Sequence, residues 1–163
     1  MKLQRTLICI AAAFLAVGFT ASQAVAGGNV PGCGDVPDSE GNGFMELEVN
    51  ALRAGAKTVV TGANQTTNVT AKARIVKGTA DKDTVIDTTL TIEAVTPPGG
   101  TVISTNSQGP IRLGVGKGGK GAKLSMAVTE CSGGFIEFVA TFFGLDDEGD
   151  PCEKSRTLRK ACR

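Results

Sequence analysis

Asp146, Asp147, Glu148 and Asp150 place four carboxylates within five consecutive residues. Calcium takes about six to eight oxygen ligands, and a loop so dense in carboxylates supplies several of them. The spacing is not that of an EF-hand, which alternates its acidic residues before a glycine and ends on a distant Glu. The competing reading is an acidic turn kept solvated by its own charge. A second segment, Gly114-Val-Gly-Lys-Gly-Gly-Lys-Gly-Ala-Lys123, nearly matches the phosphate-binding loop G-x-x-x-x-G-K-[ST], with Gly114, Gly119 and Lys120 in place. Gly121 stands where the magnesium-binding hydroxyl belongs, and the segment lies between two strand patterns rather than between a strand and a helix. Nucleotide binding therefore fails on motif and on context. What remains is a flexible Gly-Lys connection, or an anion contact through Lys117, Lys120 and Lys123.

The chain contains no His, which removes the usual general base and the commonest metal ligand. Ser–His and Cys–His arrangements are excluded with it. Only carboxylates and lysines are left for acid–base work, so an enzyme would need a converging carboxylate pair. The expectation is a protein that is not an enzyme and carries no cofactor. Basic side chains gather in the tail, at Lys154, Arg156, Arg159, Lys160 and Arg163. They serve either to keep a terminal strand from pairing edge to edge or as a patch for an anionic partner.

Lys2 and Arg5 precede an uncharged apolar run from Leu7 to Gly18, and Ala24-Val-Ala26 follows the small-x-small cleavage rule. The run is about a dozen residues, short of the roughly 20 that span a bilayer, so 1–26 reads as a cleaved signal peptide rather than an anchor. Cys33 does not directly follow a cleavage point, which argues against a lipoprotein. No second apolar segment follows, so the expected product is secreted or periplasmic, with no membrane insertion after cleavage. Removing Lys2 and Arg5 leaves 15 basic against 16 acidic residues, a balance that argues against nucleic acid as a partner. Cys9 leaves with the leader. Cys33, Cys131, Cys152 and Cys162 remain, an even number that suggests two disulfides in an exported chain. A four-cysteine zinc site needs close pairs such as C-x2-C, and none is present.

These residues must be held by strands, because no apolar stripe recurs at helical spacing. Residues 27–44 are rich in Gly, Pro and Asp and read as an extended lead-in. Over 45–163 apolar residues alternate in short runs: Met45 to Ala51, Val69 to Val76, Ile86 to Ala94, Ile111 to Val115 and Leu124 to Thr129. Thr58–Thr61 reads as a short continuation of the first strand, Thr101–Thr105 as a short edge strand, and Ser155–Cys162 as the least regular last strand. The strongest pattern is Phe135 to Phe143. Alternation puts Ile136, Phe138, Ala140 and Phe142 on one wholly apolar face, with Glu137 and Thr141 on the other beside Phe135, Val139 and Phe143. Seven to eight strands separated by turns predict an all-β sandwich, with a small closed barrel as the alternative.

The segment Phe135–Gly144, followed by Asp146-Asp-Glu-Gly-Asp150, is similar to the late strand and loop of immunoglobulin-like and fibronectin type III-like domains of bacterial exported proteins. The strand order over 45–163 resembles theirs as well, without the core Trp and Tyr-corner signatures of antibody-type domains. The resemblance implies an immunoglobulin-like antiparallel β-sandwich of seven to eight strands, used for adhesion, scaffolding or ligand presentation. It also implies a pairing, Cys33–Cys152 and Cys131–Cys162, because in such a sandwich each pair shares one end. The function expected is a non-catalytic secreted or periplasmic binding or structural module, whose partner is an extracytoplasmic protein or surface ligand. The alternative is a calcium- or anion-binding protein acting through loops 146–150 or 116–123. The short leader is of bacterial type, so the sequons at Asn64 and Asn68 are expected to carry no glycan.

Overall fold

The computed structural model describes residues 46–62, 65–76, 85–98, 100–145, 149 and 151–163. The leader 1–26 and the lead-in 27–44 lie outside them. The described residues form eight strands in two sheets: β1 (Glu46–Ala54), β2 (Thr58–Val59), β3 (Thr66–Val76), β4 (Val85–Val95), β5 (Val102–Gly114), β6 (Lys120–Ala127), β7 (Phe135–Leu145) and β8 (Pro151–Cys162). One sheet has the order β1-β3-β6 and the other β2-β8-β7-β4-β5.

Side-chain alternation builds the core. Ile136, Phe138, Ala140 and Phe142 of β7 are fully buried, while Phe135 and Phe143 on the opposite parity remain 37% and 43% exposed. β7 lies between β4 and β8, with Phe138 opposite Ala94 on one side and Leu158 on the other. Ile86, Leu90, Ile92 and Ala94 of β4 share the inner parity and are buried with Thr88 among them. The three-stranded sheet faces them with Leu47, Val69, Ala71, Ala73, Ile75, Leu124 and Met126. Thr88 is the buried polar side chain of this face, and its hydroxyl donates to the Ile111 carbonyl at 2.9 Å. The pairing of β4 with β5 slips between Thr88 and Leu90, beside the cis Gly109-Pro110 bond. The hydroxyl thus satisfies a carbonyl next to the break in the ladder.

The structure departs from the sequence reading at the strand edges. Thr101–Thr105 and Ile111–Val115, read as separate strands, belong to one strand, β5, which continues through the uncharged Ser104–Gln108 run and the cis-proline. Thr58–Val59 does not extend β1. It crosses to the other sheet and pairs in parallel with Ala161 and Cys162, so the fold is not purely antiparallel. β3, β6 and β8 each begin earlier than apolar alternation indicated, at Thr66, Lys120 and Pro151.

Polar side chains join the two sheets along both flanks. On one flank the Asn106 amide donates to the Ser125 carbonyl at 3.1 Å, and the Ala127 N–H donates to the Ser104 hydroxyl at 3.3 Å. On the other, the β1–β3 register shifts between Glu48 and Ala51, and the Arg156 guanidinium donates to the Val49 carbonyl at 3.1 Å. The Cys131–Cys162 disulfide, with Cα atoms 6.5 Å apart, ties the turn before β7 to the end of β8.

Candidate functional site

The outer face of the five-stranded sheet is where β4 and β7 must place the residues their inner parity does not use. Toward the Leu145 end of β7 this face forms an open groove of about 420 Å³, lined by Val85, Asp87, Thr89, Phe143 and Leu145 among others. Val85 is 50% exposed and Leu145 51%. A small ligand seated between half-exposed walls would keep much of its own surface in water, unlike one in an enclosed pocket.

Beside the groove the Arg112 side chain forks onto Asp87, with Nε to Oδ1 at 3.0 Å and Nη2 to Oδ2 at 3.1 Å. These bonds hold the Asp87 carboxyl below its ordinary range and, reciprocally, keep the Arg112 guanidinium protonated to higher pH. The pair is exposed, so it orients the groove's rim more than it stabilises the fold. Further along, the Thr141 and Ser155 hydroxyls meet at 2.7 Å, and the Arg159 guanidinium lies over the Phe135 ring, 4.2 Å from its centre.

None of the described site residues read from the sequence lines this groove. Asp146, Asp147, Glu148 and Asp150 lie outside the described residues; their flanks, Leu145 and Pro151, are register partners. Among the described residues no three of His, Cys, Asp and Glu gather as metal ligands. Lys117 sits in the turn after β5, whereas Lys120 and Lys123 belong to β6 and stand on opposite parities of it. The connecting loop is therefore shorter than 116–123.

The glycines of this segment answer to backbone geometry. Gly116 has φ +66° in the turn, and a Cβ on Gly121 would run into the Ala71 carbonyl oxygen of the neighbouring strand. Cys131 and Cys162 are paired as the resemblance implied. Cys152 is fully buried and is itself disulfide-bonded, and Cys33 lies outside the described residues.

Val85, Asp87 and Leu145 were not singled out by sequence reasoning. Their signal was present as outward parity on two strands whose inward parity is strongly apolar, but alternation alone does not say which outward residues adjoin. Among the described residues no helix is long and apolar enough to cross a membrane. In comparisons with known proteins, no family model matches the chain and no curated protein matches it.

Proposed function

We propose that the chain is a non-catalytic secreted or periplasmic binding or structural module, built on an immunoglobulin-like sandwich. The sheet orders support the fold reading. On this reading β1, β3 and β6 correspond to the A, B and E strands of that architecture, β4, β7 and β8 to C, F and G, and β5 to an extra strand beside C. The Cys131–Cys162 disulfide is in keeping with an oxidising compartment.

The observation that carries the binding role is the open groove at Val85, Phe143 and Leu145, where apolar side chains stay half exposed on a sheet face. Its partner is an extracytoplasmic protein or surface ligand. The test is capture from native periplasm or culture medium by the wild-type protein and by Leu145→Asp. A partner retained by the first and lost by the second supports the reading, and equal capture by both rejects the groove. The alternative, calcium held by Asp146, Asp147, Glu148 and Asp150, is favoured by their density in a loop whose ends, Leu145 and Pro151, are paired. Calorimetric titration with calcium separates the two.

A further inference from the structure

We propose that the edge of β8 left unpaired among the described residues takes an extended acidic segment of a partner protein as an added strand. This goes beyond the groove reading and uses none of the groove's residues. β8 pairs with β7 in unbroken register from Pro151 to Ala161. The Cys162 N–H donates to the Gly134 carbonyl, toward β7, whereas the Arg163 N–H donates to Val59, toward β2. In an antiparallel strand the N–H and C=O of one residue point the same way, and successive residues alternate. Odd-numbered residues therefore turn their backbone groups to the outer edge. β2 meets that edge only at Ala161 and Cys162. The N–H and C=O groups of Glu153, Ser155, Thr157 and Arg159 face outward with no backbone partner among the described residues.

Arg156 reaches across this flank to the Val49 carbonyl of β1, and the residues around it stay exposed to solvent. Glu153, Lys154, Ser155, Arg156 and Thr157 are exposed in succession, on both parities of the strand. β2 shows that the same edge accepts a strand at its other end. The charge selects the occupant. β8 and the terminal residue carry Lys154, Arg156, Arg159, Lys160 and Arg163 against Glu153 alone. Among the described residues none of these five cations is in an ion pair. A second copy of β8 would set like charges against each other, so the row that deters self-pairing favours an acidic strand. Backbone groups then supply the ladder and the cations the choice of side chains.

The test is an NMR titration of the whole exported protein, disulfides intact, with a capped peptide of alternating Glu and Val. Saturable amide shifts centred on Glu153, Ser155, Thr157 and Arg159 are expected. N-methylation of alternate peptide amides removes ladder donors and weakens binding by about tenfold or more. Lys154→Glu/Lys160→Glu weakens it by about tenfold at low salt, whereas Leu145→Asp leaves it unchanged. Absence of saturable shifts, equal affinity for the N-methylated peptide, or equal binding of a Lys–Val peptide overturns the proposal. Should the double variant fold poorly, raising salt on the wild type from about 50 to 500 mM makes the same demand, and binding that does not weaken overturns it.

Discussion

Phe138 and Phe143 lie five residues apart on β7, and replacing each by alanine separates the two faces of the strand. Phe138 is fully buried, with Ala94 and Leu158 as its register neighbours and Ala140 next to it on the inner face. Its neighbours are small or held by two hydrogen-bonded ladders, so the site collapses little when the ring is removed. Phe138→Ala then costs both the transfer term and most of the cavity term, roughly 3–5 kcal/mol. Phe143 is 43% exposed over the open groove. Its removal leaves no enclosed cavity, and the loss is about 1 kcal/mol from partial burial alone. Urea melts of the oxidised protein read the difference. With a slope of about 1.5–2 kcal/mol per molar, Phe138→Ala lowers the midpoint by about 2 M and Phe143→Ala by about 0.5 M. Glu137→Ala, on the same outer face, stays within about 0.5 kcal/mol. Equal losses from the two phenylalanines, at unchanged slope, would refute the assignment of the faces.

Other perturbations report on other parts of the fold. Non-reducing peptide mapping is expected to give Cys33–Cys152 beside Cys131–Cys162; free thiol on Cys33 in correctly exported protein rejects it. Cys131→Ser/Cys162→Ser opens a loop of sequence separation 31 and lowers stability by about 3.5–4 kcal/mol on the chain-entropy view, measured by the same melts. Thr88→Val removes the hydroxyl's hydrogen bond to the Ile111 carbonyl and costs about 0.5–1.5 kcal/mol, whereas Thr88→Ser keeps most of it. The folded-state pKa of Asp87 is depressed, so the contribution of its pair with Arg112 is present above the ordinary carboxylate range and lost as pH falls through the lower folded value. Asp87→Asn should therefore lower stability slightly at neutral pH, leave it unchanged below the folded value, and so flatten the acid limb. A loss confined to acid pH contradicts that sign.

The two faces of each strand were legible in the sequence because burial imposes a period of two. Ile136, Phe138, Ala140 and Phe142 were assigned to the core by parity alone, and Thr88 fell on the same face as Ile86 and Leu90 despite its hydroxyl. The candidate site was much less legible. A groove needs residues from two strands at matching register, and Val85 and Leu145 sit at the ends of strands whose partners alternation does not name. The Gly-Lys segment left two readings open, a flexible connection or an anion contact. Its composition does not say why each glycine is there, while the glycines at 116 and 121 answer to a turn and to a close pass by Ala71.

Edges were the least legible part, and the reason is physical. An edge is closed by single polar groups that carry no periodicity. Ser104 sits in a short edge-strand pattern and Asn106 in the uncharged run after it, yet they bridge to Ala127 and Ser125 and stand in for a backbone ladder between β5 and β6. Arg156 looked like one charge among five, yet it is the side chain that reaches the Val49 carbonyl left by the register shift in β1. These contacts make a further demand. Asn106→Ala removes the donor to Ser125 and also the acceptor that caps the Ser107 N–H at 2.9 Å. Two bonds at roughly 0.5–1.5 kcal/mol each are at stake, and both lie on one flank. The loss should appear as faster hydrogen exchange at Ser107 and Ala127, with β7 amides slowed as before. If exchange instead rises evenly through the core strands, Asn106 acts on global stability and the flank is not closed by its side chain.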